Sequence, residues 1–339
     1  MTLKLDKKDF HSFLQNLMND YELFAPVQVA EGVAVYKKIE HPLEAARFSL
    51  NPQKPAKEVF FPQSETMFRY GKVGVKTEVT STEKVERKRI LLGARPCDLQ
   101  AVSLLDEIFQ GREYSDPYYI NKRQATTVIG MGCSQPLSTC FCSSMEGGPF
   151  SRNHSDIFLI DLGEAYLVEV LTEKGKAFEK NPFFKKATQK DLKAAKSIEK
   201  NASNQVGAIL SLEGIERKLD QMIESPFWDR VQERCIGCRV CTYLCPTCHC
   251  FDIADETLTT KGQRVRNWDS CLSSLYSQET SGHNPRPTNR ERTRQRLMHK
   301  FNYFPKNVGR IACVGCGRCV LYCPADLDIR ETIKEIQKG

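Results

Sequence analysis

Phe10, Phe13, Leu14 and Leu17 recur at helical spacing within "DKKDFHSFLQNLMND" (residues 6–20), which predicts an amphipathic helix. The period then changes. Between residues 21 and 85, "GVAVYKKI" and "KVGVKTEVT" alternate every second residue, the pattern of half-buried strands. "RILLGA" is apolar without a break and is followed by "RPCD" and "LQAVSLLDEIF". This predicts a buried strand, a turn and a helix, with Asp98 as the expected N-cap. "ATTVIGMGC" predicts a second buried strand ending at Cys133, and "DIFLIDLGEAYLVEV" a hairpin closed around Gly163-Glu164. Residues 1–170 are therefore expected to form one α/β domain. Residues 171–224 turn polar and Lys/Glu/Ala-rich, the composition of a helical linker. From Gly207 onward Leu212, Ile215, Leu219, Met222 and Ile223 keep a helical period that Pro226 interrupts.

Composition changes the picture in one respect. The chain has 339 residues, 40% hydrophobic and 27% charged, as expected of a soluble globular protein of two or three domains, yet it holds 15 cysteines. No apolar run is long enough for a membrane helix, and "MTLKLDKKDFHSFLQ" has no signal-peptide pattern, so a cytoplasmic location is expected. In a reducing compartment clustered thiols point to metal or redox work, and an odd count in tight C-x2-C spacing disfavours disulfides.

Two runs carry the chemistry. Cys235, Cys238, Cys241 and Cys245, followed by Pro246, match C-x2-C-x2-C-x3-C-P, and Cys313, Cys316, Cys319 and Cys323 before Pro324 repeat the spacing. Two such runs predict a bacterial-type two-cluster ferredoxin domain over residues 225–339, in which the fourth cysteine of each run crosses to the other cluster. One [4Fe-4S] cluster would take Cys235, Cys238, Cys241 and Cys323, and the other Cys313, Cys316, Cys319 and Cys245. Gly237, Gly315 and Gly317 suit loops that turn main-chain N–H groups toward cluster sulfurs. Zinc competes for C-x2-C pairs, but does not require this motif twice. The fold class expected is α+β, an N-terminal α/β domain followed by this ferredoxin domain, with a long insert (246–312) between its two motifs.

The remaining cysteines form two further sets. Cys97 and Cys133 each follow a predicted buried strand, so neighbouring strands would place both thiols at one sheet edge, and "STCFC" can supply Cys140 and Cys142 there. The insert holds Cys248, Cys250 and Cys271, expected around a further cluster. His283, Asp269, a water or a partner residue is left as its fourth ligand, and His249 is expected to point away. That makes at least three [4Fe-4S] clusters, with thiols for a fourth. The net charge of +7 gathers at residues 173–200 and in the basic helix Arg286–Lys300. No aromatic residues interleave those charges, which disfavours nucleic acid. Cations beside anionic clusters would raise their potential. No G-x-G-x-x-G, G-x4-G-K-[ST], G-x-S-x-G or H-E-x-x-H is present, so no nucleotide site and no catalytic residue is assigned to the chain.

"LFAPV" (23–27), "GARPCDL" (93–99), "CFCSSM" (140–145), the six-cysteine run 235–252, "NWDSC" (267–271), "SGHN" (281–284) and "CVGCGRC" (313–319) occur in this order. Together they resemble the iron–sulfur subunit family that includes the sulfhydrogenase beta subunit and the iron–sulfur subunit of anaerobic sulfite reductase. Ser281 departs from the glycine expected there. The resemblance implies that Cys97, Cys133, Cys140, Cys142, Cys248, Cys250 and Cys271 belong together as a recurring set. It also implies a non-catalytic electron-transfer subunit of a cytoplasmic hetero-oligomer, with no membrane or nucleic-acid partner. Its partners would be a flavin subunit carrying FAD and NAD(P), and a catalytic subunit of hydrogenase, sulfite reductase or heterodisulfide reductase type. The rival expectation is a flavin-binding iron–sulfur reductase subunit with its own substrate site.

Overall fold

The computed structural model describes residues 2–45, 51–111, 113–206 and 210–338. The start of the helical period at Gly207 lies outside the described residues, as do residues 208 and 209. The long apolar runs become central parallel strands. β1 (Thr2–Asp6), β2 (Glu22–Ala30), β3 (Val33–Ile39), β4 (Ser64–Val73), β5 (Lys76–Ser81), β6 (Arg89–Ala94), β7 (Thr126–Met131), β8 (Ile157–Asp161), β9 (Ala165–Val170) and β10 (Phe184–Lys186) precede the ferredoxin motifs. Among the described residues one eight-stranded sheet runs β10-β1-β9-β8-β7-β6-β2-β3, with β2, β6, β7 and β8 parallel. Every residue of β6 and of β7 is buried, which explains why neither alternates: both faces are covered.

The expected N-terminal helix is Phe10–Met18, with Phe10, Phe13, Leu14 and Leu17 buried. The helix after β6 starts at Pro96, and Arg95 is its cap. Asp98 is therefore inside the first turn and is not the N-cap expected from the sequence, because Pro96 fixes the helical φ three positions earlier than an Asp98 cap requires. "KVGVKTEVT" likewise is not one strand. It spans the end of β4 and most of β5, turning at Gly74, whose φ is 63°.

Part of the stretch read as a linker joins the sheet. β10 pairs with β1, and the helix Gln189–Gln205 packs Ala195 and Ala202 against Phe158, Ile160 and Leu167. The helical period around Leu212–Ile223 resolves into a helix Ile215–Gln221. It packs with Phe227–Glu233, Asn289–Met298 and Ile329–Lys338 around Trp228, Leu219 and Phe301, the core beneath the cysteine motifs.

The insert contains a hairpin with no counterpart in the sequence expectations, β11 (Phe251–Leu258) and β12 (Lys261–Trp268). β12 pairs antiparallel with β4, so strands from either end of the chain form the four-stranded sheet β11-β12-β4-β5. Arg266 fixes the join. It is buried, it donates to Glu65 at 2.6 Å and to Asp116, and its guanidinium lies over Phe61, Phe109 and Phe251.

Candidate iron–sulfur sites

The cysteines surround three cavities. Cys97, Cys133, Cys140 and Cys142 line one of about 570 Å³, at the carboxyl ends of β6 and β7. The loop that carries Cys140 and Cys142 is seated directly on the second ferredoxin motif. Phe141 donates its N–H to the Gly315 carbonyl at 2.8 Å, and Cys140 Sγ reaches the Cys316 carbonyl at 3.7 Å.

Cys235, Cys238, Cys241 and Cys323 line a second cavity. Cys245, Cys313, Cys316 and Cys319 line a third, smaller one. The fourth cysteine of each run thus stands with the first three of the other. The local reason is backbone geometry. Gly237, Gly315 and Gly317 have φ of 68°, 62° and 70°, and Arg239, at the position equivalent to Gly317, adopts 67° despite its Cβ. The second motif leaves no such room, since at Gly317 an added Cβ would lie 2.5 Å from the Thr139 carbonyl oxygen.

The third cavity adjoins the other sites. It shares Cys316 with the N-terminal cavity, and Cys319 and Arg296 with the second. Cys245, in its wall, has Cys248 as an interacting neighbour. Cys250 and Cys271 neighbour each other, and Tyr276 stands beside Cys250. His283 stands exposed on its loop with its carbonyl accepting from Glu279, and Asp269 turns its Oδ1 to the Ser270 N–H. His249 packs on His299 and Phe304, its Nδ1 3.0 Å from the Thr247 carbonyl.

Buried cations accompany the thiols. Lys300 donates to Cys245 Sγ at 3.3 Å, to Thr247 Oγ1 at 2.9 Å and to the Ala312 carbonyl at 2.9 Å. Arg296 lies between the second and third cavities, 7% exposed, and its Nε and Nη2 have no hydrogen-bond partner among the described residues. Burial opposes the charge of Arg296, but Cys241, Cys319, Cys248 and Cys245 outweigh it and hold its pKa well above the ordinary value. Arg318 donates to both oxygens of the fully buried Asp98, at 2.6 and 3.0 Å, and to the Pro52 carbonyl at 3.1 Å. Lys57 lies 3.9 Å over the Trp268 ring and donates to the Cys248 carbonyl at 2.6 Å. Burial lowers its pKa to about 8.

These residues fit iron–sulfur clusters on two grounds. First, the thiols surround volumes, as a cubane's separated irons require, and among the described residues no three His, Cys, Asp or Glu side chains converge to hold a single ion. Second, burial raises the thiols of Cys313, Cys316 and Cys319 to about 11, 12 and 12, and the Arg296 Nε and Nη2 that lack partners between the cavities would face the anionic thiolates of a bound cluster.

Of these supporting groups, Arg296 and Lys300 were legible as a class in the basic helix, and their i, i+4 spacing puts them on one face. Arg318 and Asp98 carried no such signal, being 220 residues apart. Neither did Lys57 or Tyr276.

Comparison with known proteins agrees with this chemistry. A family model described as a 4Fe-4S dicluster domain matches residues 234–327. The sulfhydrogenase 2 subunit beta of Pyrococcus furiosus is 31% identical over 340 aligned residues, covering 99% of this chain and 98% of that one. No solved structure matches the chain. With dicluster motifs, thiol-lined cavities and an end-to-end relative, the chain belongs to the family of iron–sulfur electron-transfer subunits that includes the sulfhydrogenase beta subunit.

Proposed function

We propose that this chain relays electrons inside a cytoplasmic, multi-subunit oxidoreductase. It would stand between a flavin subunit holding FAD and NAD(P) and a catalytic subunit of hydrogenase type. The sulfite reductase and heterodisulfide reductase types differ in what that last subunit reduces. The observation that carries the reading is the contiguous row of thiol-lined cavities, each sharing a wall with the third. A [4Fe-4S] cluster bound in such a cavity accepts and returns one electron at a time.

The residues divide the work. Cys97, Cys133, Cys140 and Cys142 hold the N-terminal cluster, while Cys235, Cys238, Cys241 and Cys323 hold the one farthest from it in the row. Cys245, Cys313, Cys316 and Cys319 hold the central one. Cys248, Cys250 and Cys271 hold a fourth beside Cys245, with Tyr276 next to Cys250. The buried side chains around them exclude water and keep the thiolates apart from bulk solvent. Cys238, which is exposed, opens the second cavity to a partner.

Anaerobic purification of the full chain is expected to give a brown protein with about sixteen irons, or about twelve if Cys248, Cys250 and Cys271 are structural. It should pass electrons from dithionite to a dye, without oxidising NADH or NADPH. Flavin released in stoichiometric amount on denaturation, or rapid NAD(P)H oxidation by the isolated chain, would overturn the relay reading in favour of a reductase subunit.

A further inference from the structure

Two cations in the wall of the central cavity have no carboxylate to offset them. Lys300 is 3% exposed and Arg296 7%, and neither forms an ion pair among the described residues. Lys300 is fixed by its three contacts with Cys245, Thr247 and the Ala312 carbonyl. Arg296, one helical turn earlier, closes the helix Asn289–Met298 just before a π-helical turn, His299–Tyr303, that carries Lys300. π-turns of this kind recur where a helix must aim a functional side chain. Thr247 belongs to the same device, since its hydroxyl donates to the Ala312 carbonyl while accepting from Lys300.

The neighbouring cavities are differently charged. Arg318, in the wall of the N-terminal cavity, is neutralised by the bidentate Asp98 carboxylate, and Arg95 in the same wall donates to the Gly132 carbonyl at 2.8 Å. Of the pair, only Arg296 reaches the second cavity, which Arg239 also lines, and Lys300 lines the central cavity only. Thiolates outweigh the core charge of a cluster, so it is anionic in both oxidation states and more so after accepting an electron. A fixed buried cation therefore favours the reduced state, and does so strongly where water cannot screen it.

We infer that Lys300 and Arg296 are positioning charges that raise the potential of the central cluster, making it the site where electrons collect before leaving by either neighbour. The step is a one-electron gain by the central centre and a one-electron loss by the donor cluster beside it. No proton is transferred, because both cations keep their charge. This inference rests on the relay reading, and on this chain's own residues for which cluster is favoured.

EPR-monitored redox titration of the anaerobically purified chain, with any co-purifying subunits, tests it. Lys300→Met is expected to lower one [4Fe-4S] midpoint, its reduction equilibrium falling about tenfold, or ~59 mV. Arg296→Met should lower two midpoints, that same one included, and neither variant should move the N-terminal centre. Lys300→Arg, which keeps the charge, should restore the midpoint. Lys300→Gln is read in the same way should the methionine variant lose iron. Full iron content with unmoved midpoints would overturn this inference and leave the relay reading standing. A wild-type chain that holds no iron would overturn both.

Discussion

Replacing Asp98 with alanine is expected to destabilise the protein by about 3–5 kcal/mol, the usual result of removing one partner from a buried ion pair. The carboxylate is fully buried and holds the Arg318 guanidinium through two hydrogen bonds, of 2.6 and 3.0 Å, with Tyr36 Oη 3.4 Å away. Without it Arg318 remains as a buried cation whose one hydrogen-bond acceptor among the described residues is the Pro52 carbonyl. The pair joins the first turn of the helix after β6 to the second ferredoxin motif, so its loss acts on the seam between the two cavities and not on one lobe. Thermal unfolding of the holoprotein should show a midpoint lower by on the order of 10 °C. Asp98→Asn, which can still accept a hydrogen bond but lacks the charge, should fall between. A wild-type midpoint in the alanine variant would mean that the pair contributes nothing at the seam.

The second large effect concerns glycines whose surroundings differ between otherwise equivalent motifs. Gly315→Ala would place a methyl group 2.5 Å from the Phe141 carbonyl carbon and oxygen and 2.6 Å from Cys142 N, at a φ of 62°. Main chain occupies that space, so the "STCFC" loop must move away. Moving it breaks the Phe141 to Gly315 hydrogen bond and carries Cys140 and Cys142 out of the N-terminal cavity. Gly237→Ala meets only Asn289 Oδ1 at 3.8 Å, and there the cost is the positive φ alone, about 1 kcal/mol. The expected outcome is asymmetric. Gly315→Ala should lose about four irons, while Gly237→Ala keeps the wild-type content with a modestly lower melting midpoint. Equal iron in both variants would show that the loop is not held by the second motif.

These two cases mark where sequence reasoning stopped and why. Spacing within a few residues was sufficient for the ferredoxin runs, because three ligands on one tight loop are a local requirement. The crossing of Cys245 and Cys323 was expected from the repeated motif, and the structure places each in the cavity of the other run. Apolar runs at β6 and β7 were legible for the same local reason. The hairpin read at Gly163 was legible too, since its turn is encoded beside its strands.

What the sequence left open depends on contacts between distant segments. β11 is largely exposed and β12 carries mostly polar residues, so no hydrophobic period announced a hairpin, and its pairing with β4 is set by register across nearly two hundred residues. Asp98 looked like a cap because a cap needs only its neighbours. Its partner Arg318 is supplied by a motif at the other end of the chain. The basic helix read as cluster tuning, and tertiary packing divides it. Arg290 and Arg294 pair with Glu224 and the main chain around it, whereas Arg296 and Lys300 turn inward to the thiols. By itself the sequence singled out the thiols that are candidates to bind iron, because ligand chemistry and loop spacing are local. The tertiary structure decided which cavity adjoins which, and where the uncompensated charges lie, because both are properties of surfaces that meet only when the chain folds.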